Sequence, residues 1–189
     1  MEINHEWENG PEILSSYIES SEARTELSFL EGALDDPDET GGALDFEMKV
    51  QKENKGIFFT KLFLPEYSKF SPTSKVMQGF VSQCKEKQFT ANSVFQGLYI
   101  SNDISLLFSA YKDGDYYKPH RDCSRFTALY WLGEKNFDGG DLHFPDFNHT
   151  VEYEPNKIFM FPSYYRHEVP RVSTDKEGFV RYCVSAFIN

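Results

Sequence analysis

Two side chains of complementary chemistry stand two positions apart in the second half of the chain. His120 and Asp122 close the segment 111–122, and the run from Pro119 onward suits an extended backbone. In an extended segment alternate side chains point to one side, so the imidazole and the carboxylate can reach one ion together. A third ligand must come from a neighbouring strand, and His167 is the best placed histidine downstream. Two imidazoles and one carboxylate on one side of a metal suit non-haem Fe(II) and leave coordination positions open.

The elements that must position these side chains are short strands. From Gly56 onward, runs rich in Phe, Tyr, Val and Ile are separated by turn residues, which is typical of β-structure. Many short strands without interleaved helices predict a mainly β fold with flanking helices, as a sandwich or jelly roll. The predicted strands are Ile57–Leu64, Phe95–Ser101, Ser105–Tyr111, Phe126–Leu132, Asp141–Phe144, Thr150–Glu154, Lys157–Phe161, Tyr165–Val169 and Phe179–Ile188.

Two helices are predicted from apolar residues that recur on one face, at Pro11–Ser20 and at Ser74–Glu86. Between them, Asp35–Gly42 is an acidic loop that ends in two glycines. At 189 residues the chain is expected to form one domain. Within it, residues 1–94 are predicted to be a supporting region and residues 95–189 the catalytic jelly-roll core.

The net charge of −11 argues against nucleic acid or an anionic membrane as the main partner. All of it lies in residues 1–55, which hold 15 acidic and 4 basic side chains, whereas residues 56–189 hold 15 of each. If that acidic segment borders the site, a basic partner is expected. The alternative is that its carboxylates form a solvated surface.

The sequence favours a cytoplasmic location. Its first residues lack the basic and apolar regions of a signal peptide, and no stretch approaches the ~18 apolar residues of a membrane span. The three cysteines, Cys84, Cys123 and Cys183, are odd in number and widely spaced, so no disulfide framework is predicted.

The segment around the His120/Asp122 pair resembles the Fe(II)/2-oxoglutarate-dependent dioxygenases of the prolyl 4-hydroxylase type. Their signature, Y-x-x-G-x-x-Y-x-x-H-x-D, is matched position for position from Tyr111 to Asp122. A hydrophobic strand, a Gly-Gly-x-x-x-Phe-Pro segment at 139–145, and His167 in an H-x-V motif follow in the family's order. The resemblance covers about the last 80 residues, and it implies a double-stranded β-helix of the cupin-like kind.

The resemblance implies that His120, Asp122 and His167 bind Fe(II), with 2-oxoglutarate and O2 as cosubstrates and ascorbate as a candidate reductant. In the family a basic residue binds the far carboxylate of 2-oxoglutarate, and Arg171, Lys176 and Arg181 are the candidates here. Arg181 is preferred because it lies inside a predicted strand, where the sheet fixes its direction and a planar guanidinium can pair with a carboxylate.

Strand alternation extends the predicted cosubstrate site. It places Arg181 and Ser185 on the face that lines the barrel, and it puts Thr127 and Trp131 on a common face of their own strand. The resemblance aligns Trp131 with a tyrosine that holds the cosubstrate in hypoxia-sensing prolyl hydroxylases, so Thr127 or Tyr111 is expected to supply that polar contact. Tyr111 and Tyr117 belong to the predicted site, with aromatic core filling as the alternative role.

The implied activity is hydroxylation of a C–H bond with release of succinate and CO2, and a prolyl residue in a protein or peptide is the leading substrate. Fold and cofactor say little about the substrate itself. Hydroxylation of a free amino acid or another small metabolite is therefore the first alternative. A non-catalytic cupin-like module, with zinc or without metal, is the second.

Overall fold

The computed structural model describes residues 1–6, 10–18, 21–33, 52–59, 71–86 and 94–189. Within these ranges the first strands are β1 (Asn4–Glu6), β2 (Ile13–Tyr17), β3 (Lys52–Glu53), β4 (Lys55–Phe58), β5 (Ile104–Lys112) and β6 (Tyr116–His120). The remaining strands are β7 (Phe126–Leu132), β8 (Leu142–Phe144), β9 (His149–Val151), β10 (Lys157–Pro162), β11 (His167–Val169) and β12 (Phe179–Ile188). The helices are α1 (Ser21–Ala33), α2 (Pro72–Cys84) and a 3-10 helix (Val94–Ile100).

The strands form two antiparallel sheets, as expected for a double-stranded β-helix. The larger sheet has seven strands in the order β1-β2-β10-β7-β12-β5-β4, and the smaller has five in the order β3-β6-β11-β8-β9. The chain crosses between the sheets repeatedly, so strands that are distant in sequence become neighbours. This jelly roll brings β6 and β11, which carry the predicted metal ligands, side by side.

Two hydrophobic clusters cover the two faces of the seven-stranded sheet. One lies between the sheets and joins Trp131, Phe159 and Cys183 of the large sheet to Phe144 and Val169 of the small one. The other lies on the outer face, where the helices contribute Leu30, Met77, Phe80 and Leu98. Since β7 is packed on both faces, all seven of its residues are buried, which accounts for its continuous apolar sequence.

Most of the predicted elements are present. Strands β7 and β12 have the predicted bounds, and helix α2 begins at Pro72, two residues before the predicted start. Ser71 caps this helix, because its Oγ accepts a hydrogen bond from the Ser74 amide at 3.0 Å. The inner and outer faces predicted for β12 are also confirmed, since Cys183 belongs to the inner cluster and Val184 to the outer one.

Two predictions were wrong. The predicted helix Pro11–Ser20 contains strand β2, which pairs with β1 and β10, because a short apolar run fits a buried strand as well as a helix. The predicted strand Phe95–Ser101 is the 3-10 helix, whose buried Phe95 and Leu98 are three residues apart, or one turn. Helix α1 and strands β1, β3 and β6 were not predicted.

Some predicted segments lie wholly or partly outside the described residues. The acidic loop Asp35–Gly42 and the end of the predicted strand Ile57–Leu64 lie outside them. Of the helices that the structure describes, none is long and apolar enough to cross a bilayer.

Candidate metal centre and cosubstrate pocket

The three predicted metal ligands meet between two neighbouring strands. His120 ends β6, His167 begins β11, and these two residues are direct partners in the antiparallel register. Asp122 lies two residues beyond the end of β6, and its carboxylate is 3.5 Å from Nε2 of each histidine. One ligand atom from each of the three residues lies within 4.8 Å of the others, so the three side chains can hold one ion.

An irregularity in β6 shapes this site. His167 pairs with His120 and Val169 pairs with Tyr117, so two steps along β11 match three steps along β6. An extra residue of this kind is a β-bulge, which shifts the alternation of side chains. Tyr117 consequently lies on the same side as His120, and the two rings stack with centroids 3.7 Å apart. The stack holds the imidazole plane in place.

The hydrogen bonds of the two histidines fix their tautomers. Nδ1 of His120 lies 2.9 Å from the carbonyl oxygen of Lys118, and Nδ1 of His167 lies 2.9 Å from that of Tyr165. A carbonyl oxygen only accepts, so each Nδ1 carries the proton. In the neutral form of each ring, Nε2 then presents a lone pair toward Asp122, which is the arrangement that ligating histidines require.

The protonation of the site suits a cation. Burial lowers the pKa of His167, so its ring is neutral near pH 7. Burial also works to raise the pKa of Asp122, but the neighbouring His120 and His167 and the Thr127 hydroxyl outweigh it and lower that pKa. With both neutral rings protonated at Nδ1, two Nε2 lone pairs and the Asp122 carboxylate face one another, and a divalent cation fits this donor set.

Among the three basic candidates, Arg181 is the one buried between the sheets. Its side chain is 1% exposed, its Nε donates to the Gly140 carbonyl at 2.5 Å, and its guanidinium lies 4.6 Å from the centre of the Tyr111 ring. Arg171 is exposed and donates to the Gly114 carbonyl, and Lys176 is an exposed loop residue. No carboxylate of the described residues forms an ion pair with Arg181.

The two glycines of the 139–145 motif make room for this arginine. Both have a positive φ, and a Cβ on Gly140 would approach the Arg181 Cδ to 3.1 Å. A Cβ on Gly139 would lie 2.3 Å from the carbonyl oxygen of Arg171. A larger residue at either position would therefore displace the backbone or the arginine.

A second buried hydrogen-bond donor lies in the same interior between the sheets. The indole nitrogen of Trp131 is buried and has no hydrogen-bond partner among the described residues. Its ring stacks on Tyr153 at 4.9 Å, and Tyr153 in turn lies 5.6 Å from the Arg181 guanidinium. Two buried donors without a carboxylate fit an anionic ligand. Tyr153 was missed because no spacing in the sequence links it to Arg181.

The family model of the 2OG-Fe(II) oxygenase superfamily matches residues 106–189. This segment includes His120, Asp122, His167 and Arg181. Residues 106–189 are therefore similar to the members of this superfamily. Members of this superfamily use Fe(II), 2-oxoglutarate and O2, and the His-Asp-His centre supplies the donors that Fe(II) takes. No curated protein sequence matches the chain significantly.

Solved structures show the same fold at low sequence identity. A prolyl-4-hydroxylase from Pseudomonas putida is 17% identical with a TM-score of 0.61, over 94% of this chain and 91% of that one. The viral collagen prolyl hydroxylase of Paramecium Bursaria Chlorella virus-1 is 16% identical with a TM-score of 0.56, over 92% and 94%. NgTET1 in complex with 5mC DNA is 16% identical with a TM-score of 0.57, over 93% and 70%. These likenesses establish the fold and leave the substrate open.

A series of hydrogen-bonded hydroxyl groups ends at the Asp122 carboxylate. Thr127 Oγ1 donates to Asp122 Oδ2 at 2.5 Å, Ser163 Oγ lies 2.8 Å from Thr127 Oγ1, and Ser124 Oγ lies 2.8 Å from Ser163 Oγ. A carboxylate accepts, so the Thr127 proton is committed to Asp122. Ser163 must then donate to Thr127, and Ser124 to Ser163. These successive hydrogen bonds all point toward Asp122 and fix the orientation of its carboxylate.

The remaining predicted cosubstrate residues lie around this centre. Tyr111 packs beneath Arg181, and burial raises its pKa, so its phenol is neutral. Burial and the Asp122 charge raise the pKa of Tyr117 to about 12. Ser185 lies two residues from Cys183 on the inner face, and burial raises the pKa of the Cys183 thiol to about 11. The structure thus places Thr127 against Asp122 and the other predicted residues along the inner face.

Proposed function

We propose that the chain is a 2-oxoglutarate-dependent hydroxylase of a prolyl residue in a protein or peptide. The observation that carries the proposal is the convergence of His120, Asp122 and His167 in the same interior as Arg181, which has no ion-pair partner among the described residues. Ring contacts connect the two places, from His167 to Phe161 at 4.9 Å and onward to Phe159 at 6.2 Å and Trp131 at 4.7 Å.

His120, Asp122 and His167 would hold Fe(II) through two Nε2 atoms and a carboxylate. With 2-oxoglutarate and O2, the bound metal supplies the chemistry that converts a C–H bond to C–OH and 2-oxoglutarate to succinate and CO2. The Tyr117 ring and the two backbone carbonyls keep the imidazoles oriented, and the hydroxyl chain from Ser124 keeps the carboxylate oriented.

Arg181 would bind the far carboxylate of 2-oxoglutarate. Its Nε donates to the Gly140 carbonyl, so the two terminal nitrogens are the donors that would bind the carboxylate. Trp131 offers one more N–H. The rings of Tyr111 and Tyr153 exclude water from this end of the pocket, which strengthens a charge-assisted hydrogen bond.

An aromatic ridge beside His167 supports a prolyl substrate. We define it as Phe147, Tyr164 and Tyr165, because the Tyr165 ring lies 4.8 Å from each of the other two. Tyr164 and Phe147 are exposed. Exposed aromatic surfaces recur in the recognition of proline-containing segments, and this one adjoins a metal ligand in sequence.

The unpaired cysteines support the proposed cytoplasmic location. Cys84, Cys123 and Cys183 are all free, and Cys123 is exposed. A free exposed thiol next to a metal ligand is maintained most easily in a reducing compartment.

The test is turnover by the purified chain reconstituted with Fe(II) and 2-oxoglutarate. Succinate and a product heavier by one oxygen atom are measured with peptides that contain one central prolyl residue, with the matching alanyl peptides, and with free amino acids. We expect hydroxylation of the prolyl peptides only, and none with Asp122→Ala. Hydroxylation of a free amino acid alone would favour the small-molecule alternative. Absence of any succinate from a chain that retains metal would favour a non-catalytic module.

A further inference from the structure

Two arginines beside the metal ligands share one carboxylate. The Asp146 carboxylate lies 3.3 Å from Nη2 of Arg121 through one oxygen and 2.9 Å from Nη2 of Arg166 through the other. Arg121 also donates from Nε to the Tyr164 carbonyl at 2.8 Å. We call Arg121 and Arg166 the arginine pair, and Asp146 is the carboxylate that bridges them.

This cluster has an excess positive charge. Two guanidinium groups face one carboxylate, and Arg166 Nε has no hydrogen-bond partner among the described residues. Both arginines are accessible, with side chains 58% and 43% exposed. Ion pairs this exposed hold their geometry weakly, so the guanidinium groups can turn toward a second carboxylate at little cost. That carboxylate would bring the cluster to neutrality.

The cluster adjoins the reaction centre through the chain itself. Arg121 stands between His120 and Asp122, and Arg166 immediately precedes His167. Consecutive Cα atoms are about 3.8 Å apart, so each arginine starts one residue from a ligand. The hydrogen bond to Tyr164 also ties Arg121 to the aromatic ridge. A polypeptide bound on the aromatic ridge would therefore lie against the arginine pair at a point close to the residue that is hydroxylated.

We infer that the arginine pair binds an acidic side chain of the polypeptide substrate near the prolyl residue that is hydroxylated. The inference rests on the proposed function and adds a charge requirement to it. Arginine suits this role, because its planar fork offers two parallel donors to a carboxylate. The expectation of a basic partner came from residues 1–55, whereas the described residues next to the ligands favour the opposite charge.

An acidic peptide fits better than a nucleic acid. A polynucleotide needs several phosphate contacts along a basic track, and its affinity depends on the charge of the whole protein. This chain carries a net charge of −11, and the arginine pair is a single local cluster with a carboxylate already inside it. One or two peptide carboxylates match its size and charge.

The experiment measures binding of fluorescein-labelled peptides that differ only in the residues around one central prolyl residue, which are glutamates, glutamines or lysines. Anisotropy is read in the presence of Mn(II) and 2-oxoglutarate without O2, so that binding is separated from turnover. We expect the glutamate peptide to bind about tenfold tighter than the glutamine peptide and the lysine peptide to bind weakest. High salt should remove most of the difference.

Substitutions then assign the effect to the cluster. Arg121→Gln and Arg166→Gln should each weaken binding of the glutamate peptide about fivefold and leave the glutamine peptide unchanged. Asp146→Asn should tighten binding of the glutamate peptide, because it frees both guanidinium groups, and a merely structural role would not produce that gain. Lys176→Gln removes an exposed positive charge elsewhere and should have no effect.

The outcomes separate this inference from the proposed function. Equal binding of the glutamate and glutamine peptides, with the prolyl residue still hydroxylated, would overturn the inference and leave the proposed function intact. Arginine-dependent binding of the glutamate peptide without hydroxylation would support the acidic-partner surface and count against the prolyl activity. Tighter binding of a single-stranded oligonucleotide than of the glutamate peptide would assign the cluster to nucleic acid and overturn the inference.

Discussion

The two faces of the seven-stranded sheet use the same strands for different purposes. On the outer face, Val184 and Ala186 of β12 belong to the same hydrophobic cluster as Leu30, Met77 and Phe80 of the helices. On the inner face, the same strand presents Arg181, Cys183 and Ser185, and Arg181 is buried without a carboxylate partner among the described residues. Buried apolar side chains stabilise both faces, but the inner face also buries the positive charge of Arg181. Stability and chemistry are therefore separable by substitution.

The largest expected effect is at the proposed metal ligands, which lie at the five-stranded sheet across from the inner face. Asp122→Ala or His167→Ala should abolish turnover and weaken Fe(II) binding by more than about a hundredfold, because two ligands remain and a solvent position is added. Metal titration and succinate release measure the two effects. Thermal unfolding of the metal-free variants should stay near that of the parent chain. Tight metal binding by both variants would show that the three residues are not the centre.

An outer-face substitution should give the opposite result. Phe80 of α2 is fully buried against the sheet, and Phe80→Ala should lower the free energy of unfolding by about 3–5 kcal/mol through lost burial and a cavity. Denaturant unfolding measures this change. The Fe(II) affinity of the folded fraction should match that of the parent. A variant that unfolds as the parent does but loses iron would contradict the separation of the two faces.

The next effect concerns the buried arginine. Arg181→Ala should raise the KM for 2-oxoglutarate about a hundredfold, since a charge-assisted, desolvated contact is lost. Lys176→Ala should leave that KM unchanged, because Lys176 is an exposed loop residue. Initial rates at varied 2-oxoglutarate concentration distinguish the two variants. If Lys176→Ala proved the more damaging, Arg181 would not be the anchor.

The smallest expected effect, a change in Fe(II) affinity, tests the role of Thr127. Thr127→Val keeps the shape but removes the hydroxyl that donates to Asp122, so Fe(II) affinity should fall about tenfold. Thr127→Ser should retain that affinity, since it keeps the donor. If Thr127→Val left the iron affinity unchanged but raised the KM for 2-oxoglutarate, Thr127 would instead contact the cosubstrate, as the sequence predicted.

The sequence predicted those features that depend on local spacing. His120 and Asp122 are two residues apart, and alternation along β12 assigned Arg181, Cys183 and Ser185 to the inner face. These relations hold within one strand and its immediate end, where backbone geometry alone determines the direction of a side chain.

Features that depend on contacts between distant segments were not predicted. Ser163 approaches Thr127 across 36 positions and Ser124 across 39, and no spacing rule connects them. The bulge in β6, which brings Tyr117 onto His120, depends on the register with β11. Strand β2 was mistaken for a helix because its short apolar run becomes a strand only by pairing with β10.

The way in which the two histidines are oriented has a consequence for how this enzyme can diversify. Each Nδ1 proton is held by the backbone carbonyl of Lys118 or Tyr165, not by a side chain. Every amino acid supplies that carbonyl, so the side chains at these two positions can change without altering the imidazole tautomers. Lys118 is exposed, and Tyr165 belongs to the aromatic ridge that we propose as a substrate contact. The side chains at these two positions can therefore vary while His120 and His167 keep their orientation.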